Sequence, residues 1–167
     1  VKSIDTDGDD FVLNTGSPHY VKYVEMLKNY NVYKNGNEIR NSETYKKEGI
    51  NVNFVEKISD KELFVRTYER GVEDETYSCG TGVTAAALTF MKNNNQTFVG
   101  VKVMGGQLKV YAEKDGEGFK NIWLEGPAVQ VFKGDINLDK AWYFKVMKKT
   151  IFIIFVVIIA ILGFFGL

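Results

Sequence analysis

A single helix-forming stretch stands among many runs that read as β-strands, and this imbalance constrains the fold more than any other feature. From Thr81 to about Lys92 the chain is rich in Ala, Leu and Phe. On either side of it lie Asp10–Asn14, Tyr20–Tyr23, Asn51–Ile58, Glu62–Tyr68, Thr97–Met104, Gln107–Glu113, Asn121–Leu124 and Ala128–Phe132. These runs are β-branched and aromatic, or alternate apolar with polar residues, as strands do. Gly16-Ser17-Pro18, Ser59-Asp60, Gly105-Gly106 and Gly126-Pro127 mark the turns between them. Asn29 to Tyr45 is polar and Asn-rich, and reads as loop with one helical turn. The pattern predicts an α/β (α+β) fold, a curved mixed sheet of about seven short strands wrapped around a central helix.

The chemistry gathers where that helix begins. Cys79 is the only cysteine, and Gly80-Thr81-Gly82 after it make a tight turn into the helix. Unpaired backbone N–H groups and the positive end of the helix dipole favour an anion there, whether a thiolate or a bound carboxylate. The dipole contributes roughly 0.3–1 kcal/mol, about 2 at best, which limits how far the helix alone activates a thiol. A lone free cysteine is ordinarily a small buried hydrophobe. The flanking glycines and the upstream Glu69-Arg70-Gly71 segment tip the reading towards catalysis.

The segment ERGVEDETYSCGTGVTAAALTFM, from Glu69 to Met91, resembles the second cysteine motif of the diaminopimelate epimerases. These are cofactor-independent enzymes of lysine and peptidoglycan precursor synthesis. TGSPHYV from Thr15, GINVNFVE from Gly49, VMGGQLKV from Val103 and LEGPAVQVFKGDI from Leu124 agree in order and spacing. The resemblance runs from about Asp10 to Ile136 and is to the family's C-terminal half. Cysteine racemases acting on proline share the CGTG element, but Glu69-Arg70 and the paired asparagines at Asn51 look more like the epimerases.

What the resemblance implies is specific. The family fold has two pseudo-symmetric halves, each a sheet enclosing one helix, with substrate between them. Cys79 would move a proton at the α-carbon, interconverting LL- and meso-2,6-diaminopimelate, with no cofactor. Backbone N–H groups of Gly80 and Thr81 would hold the α-carboxylate, and Asn51 would hydrogen-bond the substrate. Glu69 would contact the substrate ammonium group and influence thiol acidity, while Arg70 helps to position the substrate. His19, the only histidine, matches a residue that tunes the acidities of the cysteine pair. Ser17 is a departure, because a substrate-binding asparagine is common at that position. The larger departure is the missing N-terminal half, whose own cysteine sits in a CGNG-type motif. That half is therefore an expected partner, and this chain by itself is expected to be inactive. Two other classes stay open: a cysteine hydrolase or acyltransferase using Cys79 and His19 as a thiolate–imidazolium couple, and a non-catalytic membrane-tethered module that retains the fold.

Composition narrows the partners. Lysine plus arginine equals aspartate plus glutamate at 21 each, so no net field draws the chain to nucleic acid. One cysteine excludes an internal disulfide and fits a reducing compartment. One histidine, one cysteine and scattered carboxylates offer no metal-ligand spacing. The chain opens at Val1 in a polar run without an initiator Met, as a fragment or processed product would.

The end of the chain differs in kind. Lys145, Lys148 and Lys149 precede Ile151–Leu167, which has no charged or polar side chain. At ~1.5 Å per residue it spans about 26 Å, slightly short of a ~30 Å hydrocarbon core. Trp142, Tyr143 and Phe144 precede it as interfacial aromatics would. The expected organisation is therefore an epimerase half over 1–137, a basic and aromatic linker over 138–149, and a transmembrane segment over 150–167. The lysines would keep the Cys79 domain cytoplasmic. Such a tail is foreign to the family pattern, which ends near Asp135-Ile136. Met147-Lys148-Lys149 before an apolar run resembles the start of an exported protein, as if two neighbouring reading frames were joined.

Overall fold

The chain forms nine strands of one mixed sheet in the computed structural model, which describes residues 1–94 and 96–135. The strands are β1 (Asp5–Asp7), β2 (Asp10–Asn14), β3 (Pro18–Tyr23), β4 (Asn51–Ser59), β5 (Glu62–Glu69), β6 (Asp74–Thr76), β7 (Phe98–Val103), β8 (Gly106–Asp115) and β9 (Gly118–Glu125). Their spatial order is β1-β2-β3-β4-β5-β7-β8-β9, with the short β6 added beside β5. Two joins are parallel, β3 with β4 and β5 with β7. Each needs a crossover, and a helix supplies it: α1 (Val32–Arg40) in the first and α2 (Gly80–Asn93) in the second.

Alternation along the strands divides the core between the two sheet faces. Val52, Phe54 and Tyr68 pack with Leu27, Val32 of α1 and Ile50. Val21, Val55, Leu63 and Val65 point the other way and meet α2. Every residue of α2 from Gly82 to Met91 is buried, and β2, β3, β4, β5, β7, β8 and β9 all touch it. The sheet thus curls around this helix, as expected. Ala85, Ala86 and Ala87 allow close approach, while Leu88 and Met91 fill the space between strands. Each fully buried Leu or Met side chain is worth roughly 1.5–3 kcal/mol relative to exposure.

The structure corrects the sequence reading in four places. Asn29 to Tyr45 holds a nine-residue helix, α1, rather than a loop with one turn. Asn31 starts it, its Oδ1 accepting from the Lys34 N–H at 3.0 Å. Asn35, Gly36 and Asn37 are poor helix formers, so packing decides: Val32 is buried, and Gly36 lies against Tyr68, where any Cβ would collide. Ala128–Phe132 forms no strand; β9 stops at Glu125, before Pro127, which has no N–H to give a ladder. The β7–β8 hairpin turns at Met104-Gly105, one residue earlier than expected, because Val103 pairs with Gly106. Finally, β1 and β6 raise the strand count; each is a three-residue polar run without an apolar pattern, held by pairing and by side-chain bonds, from Tyr45 to Asp7 and from Arg66 to Glu75.

Val1–Ala128 is one compact unit, and residues 129–135 are exposed and lack regular secondary structure. The predicted linker over 138–149 and transmembrane segment over 150–167 lie outside the described residues. Among the described residues, no helix is long and apolar enough to cross a membrane.

The α2 face of the sheet changes character along the strands. His19 on β3 sits beside Asn51 on β4 in the parallel register, and Asn53 sits opposite Thr67 on β5. All four are buried. These positions share one end of the sheet, where β3 and β4 begin, β5 finishes and α2 starts. Gly82 lies directly on Asn53 Oδ1, so a side chain there would displace it.

Candidate active site

Cys79 is the residue that caps the start of α2. Its backbone is extended, with φ −120° and ψ 106°, and its carbonyl accepts the first helical bond from the Val83 N–H at 2.8 Å. Its side chain makes no capping bond. Sγ lies 3.5 Å from Thr81 Oγ1, in a residue left 9% exposed. Helix geometry leaves the first-turn N–H groups of Gly80 and Thr81 without intrahelical acceptors, and no acidic side chain occupies that turn. A buried sulfur and two amide donors therefore stand side by side.

Beside the sulfur is a layer of buried and half-buried polar side chains. Ser17 Oγ lies 3.3 Å from Thr81 Oγ1 and 2.9 Å from His19 Nε2. Asn51 Nδ2 donates to Ser17 Oγ at 3.2 Å and to the Pro18 carbonyl at 3.0 Å, while its Oδ1 accepts from the Arg70 N–H at 2.9 Å. Asn53 Nδ2 meets His19 Nδ1 at 3.1 Å and donates to the Tyr20 carbonyl at 2.9 Å. The Thr67 hydroxyl donates to Asn53 Oδ1 at 3.0 Å, and the Thr15 hydroxyl ties the turn to the Thr81 carbonyl at 2.8 Å. No buried side-chain N or O atom among the described residues lacks a partner.

His19 is fully buried. Burial lowers its pKa from 6.5 to about 4, and the Arg70 charge works in the same direction. The ring is neutral at pH 7.

The structure brings Cys79, Thr81, His19 and Asn51 into one hydrogen-bonded cluster and puts Gly80 at its mouth. Glu69 and Arg70 stand at the border. Glu69 Oε2 accepts from Thr76 Oγ1 at 3.0 Å, and Arg70 Nη1 donates to the Glu48 carbonyl at 2.9 Å. A shallow cavity of about 260 Å³ lined by Glu75, Thr76, Tyr77 and Met104 opens next to Glu69's partner Thr76. No group of three or more His, Cys, Asp or Glu is placed to hold a metal among the described residues.

Sequence reasoning passed over Asn53, which meets the His19 ring, and Thr67, which holds Asn53. The signal was present in Asn51-Val52-Asn53-Phe54-Val55, where two amides two residues apart share one face of an otherwise apolar strand. A polar pair on a face that must be buried calls for partners.

Residues 11–131 match the diaminopimelate epimerase family. The chain is 45% identical over 131 residues to a diaminopimelate epimerase of Flavobacterium psychrophilum, covering 77% of this chain and 51% of that protein. Against the enzymes of Aquifex aeolicus and Chlorobaculum tepidum it is 38% and 42% identical, covering 85% and 75% of this chain and 52% and 49% of theirs. Among solved structures, a phenazine biosynthesis PhzF-family protein of Enterococcus faecalis aligns with a TM-score of 0.43 and 17% identity, over 59% of this chain and 35% of that one. The chain spans about half the length of the curated relatives it matches. By sequence, it belongs to the diaminopimelate epimerase family.

Proposed function

We propose that this chain supplies one of the two thiols of an isomerase that interconverts LL- and meso-2,6-diaminopimelate. The observation that carries the reading is the pairing of Cys79 Sγ with the open first-turn amides of Gly80 and Thr81. An amino acid with its α-carboxylate on those amides presents its α-carbon to the sulfur. Cys79 as thiolate takes the α-proton and becomes the thiol. The electron pair left on carbon delocalises into the carboxylate, where the two N–H donors meet the growing charge. In the reverse direction the thiol returns the proton. Glu69 receives the substrate ammonium group, Asn51 and Arg70 position the substrate, and no cofactor takes part.

Inversion requires a proton from the opposite face, and a single thiol reaches only one. The second acid belongs to the N-terminal half, which this reading makes the partner. Tyr77, Met104 and Leu124 support such a contact: they are exposed by 79, 54 and 45%. They also cluster near the start of α2. Gly105 N–H donates to the Tyr77 carbonyl at 2.9 Å, and Leu124 approaches Gly80.

The hydrolase alternative loses ground, because His19 Nε2 faces Ser17 and Nδ1 faces Asn53, leaving neither nitrogen on Cys79 Sγ. The test is to assay the full chain alone and then with the N-terminal half of a close relative. The readout is conversion of the LL to the meso isomer in deuterated water. Epimerisation with α-deuterium appearing only on mixing supports the proposal. Equal turnover by the chain alone would overturn the two-thiol scheme. Under the same reading the 150–167 segment tethers a cytoplasmic site to the membrane, which carbonate washing of membranes from cells making the full chain would test.

A further inference from the structure

Backbone groups, whose donor and acceptor roles cannot change, fix the direction of the hydrogen bonds around Ser17. Asn53 lies 2.9 Å from the Tyr20 carbonyl, which can only accept, so that side of the amide is its NH2. The same NH2 faces His19 Nδ1 at 3.1 Å, so Nδ1 accepts and carries no proton. The neutral ring then holds its proton on Nε2 and donates to Ser17 Oγ at 2.9 Å. Asn51 is fixed at both ends, by the Arg70 N–H and by the Pro18 carbonyl. Its NH2 is thereby a second donor to Ser17 Oγ, at 3.2 Å. A hydroxyl has two lone pairs and one proton. With both lone pairs of Ser17 engaged, its proton turns to Thr81 Oγ1 at 3.3 Å, and the Thr81 proton turns to Cys79 Sγ at 3.5 Å.

We propose that Ser17 is a positioning residue for Cys79: it passes the fixed donor direction of His19 through Thr81 to the sulfur, holding Sγ as an acceptor. Its catalytic meaning rests on the proton-transfer role proposed for Cys79. A sulfur that receives a hydrogen bond is favoured as thiolate, the form that removes the α-proton, and successive bonds in a chain polarise one another. Ser17 is then more than a shortened substrate contact. One hydroxyl accepts from the imidazole and donates onward through the same oxygen, whereas an asparagine would accept and donate through different atoms.

The full 167-residue chain is suited to the test, because its single cysteine gives one alkylation signal and its single histidine one ring signal. Iodoacetamide alkylation is followed against pH for the natural chain and for Ser17→Ala, Ser17→Thr and Thr81→Val, while nitrogen-15 NMR reports the His19 tautomer. The expected result is an Nε2–H ring at neutral pH. Ser17→Ala and Thr81→Val should each slow alkylation at pH 7 by roughly three- to tenfold, the worth of one hydrogen bond. Combining them should add little, since either one breaks the chain. Ser17→Thr, which keeps a hydroxyl, should restore the natural profile. An unchanged alkylation profile in Ser17→Ala would overturn the proposal. So would an Nδ1–H ring in the natural chain, a measurement that needs no variant to fold. Because the readout is the thiol itself, a negative result leaves the proposed epimerisation standing, and a failed epimerisation assay leaves this result standing.

Discussion

The two ends of the interface between α2 and the sheet are built by opposite means. At one end Val55, Leu63, Val65, Leu88 and Val101 meet in an apolar layer. The polar exception there, Thr89, is satisfied locally by the Ala86 carbonyl at 2.8 Å and the Tyr23 hydroxyl at 3.1 Å. At the other end His19, Asn51, Asn53 and Thr67 occupy the corresponding strand positions, and Cys79 and Thr81 begin the helix over them. Apolar packing is graded, since each methylene contributes on its own. A buried polar layer is not, because removing one member leaves the others unpaired. The first kind of packing suits a fold and the second suits a site that must hold one geometry.

Cys79→Ala should give the largest effect, and only at the polar end. In the chain reassembled with an N-terminal half, loss of the proton-transfer group should slow epimerisation by about 10²–10⁴-fold. Urea unfolding of the chain should change by about 1 kcal/mol, because the buried sulfur makes only one side-chain hydrogen bond, to Thr81. Leu88→Ala should do the reverse, costing about 2–5 kcal/mol of stability through the cavity it leaves. The rate per folded molecule should hold. If both variants lose activity and stability together, the two ends are not separable and the comparison fails.

Acid should separate the ends next. The unfolded ring of His19 binds its proton near 6.5 and the folded ring near about 4. Between those values the unfolded state carries more protons, so stability falls as pH drops through the window and levels off below it. That difference corresponds to roughly 3 kcal/mol between pH 7 and pH 4. Urea unfolding at a series of pH values should show it, and His19→Gln should flatten that part of the curve. Leu88→Ala should lower the whole curve without changing its slope. A slope that survives in His19→Gln would assign the acid sensitivity to other groups.

How much of this was legible in the sequence follows the same division. Apolar periodicity located β2, β4, β5, β7 and α2, because burying alternate or all-round apolar residues leaves a pattern. It missed α1, where Asn35, Gly36 and Asn37 are poor helix formers and the decision comes from contact with Tyr68, distant in sequence. It missed β6, whose Asp-Glu-Thr run is held by pairing with Thr67, Tyr68 and Glu69 and by the ion pair of Arg66 with Glu75. At the site, the segment around Cys79 pointed to the sulfur and its amides, since both are local to the start of one helix. The support from Asn53 and Thr67 was not readable there. It arises from strand register, and His19 and Asn53 come together only once β3 pairs with β4.

Glu69→Gln should give the smallest effect on the fold and a clear one on chemistry. Glu69 ends β5 at the rim of the polar layer, half-buried, with Oε2 accepting from the Thr76 hydroxyl. A glutamine at this position keeps an oxygen to accept that bond and loses only the charge. Stability should therefore stay within about 0.5 kcal/mol of the natural chain, the range of ordinary surface changes. If the carboxylate faces the substrate ammonium group, a charged hydrogen bond worth about 1.5–3 kcal/mol disappears from the complex. Epimerisation by the reassembled protein should fall by roughly ten- to a hundredfold. The loss should appear in kcat/KM with either isomer, because the same ammonium group is held in both directions. Full activity in this variant would return Glu69 to the structural role its bond to Thr76 already explains, and the polar end would reach no further than Asn51 and His19.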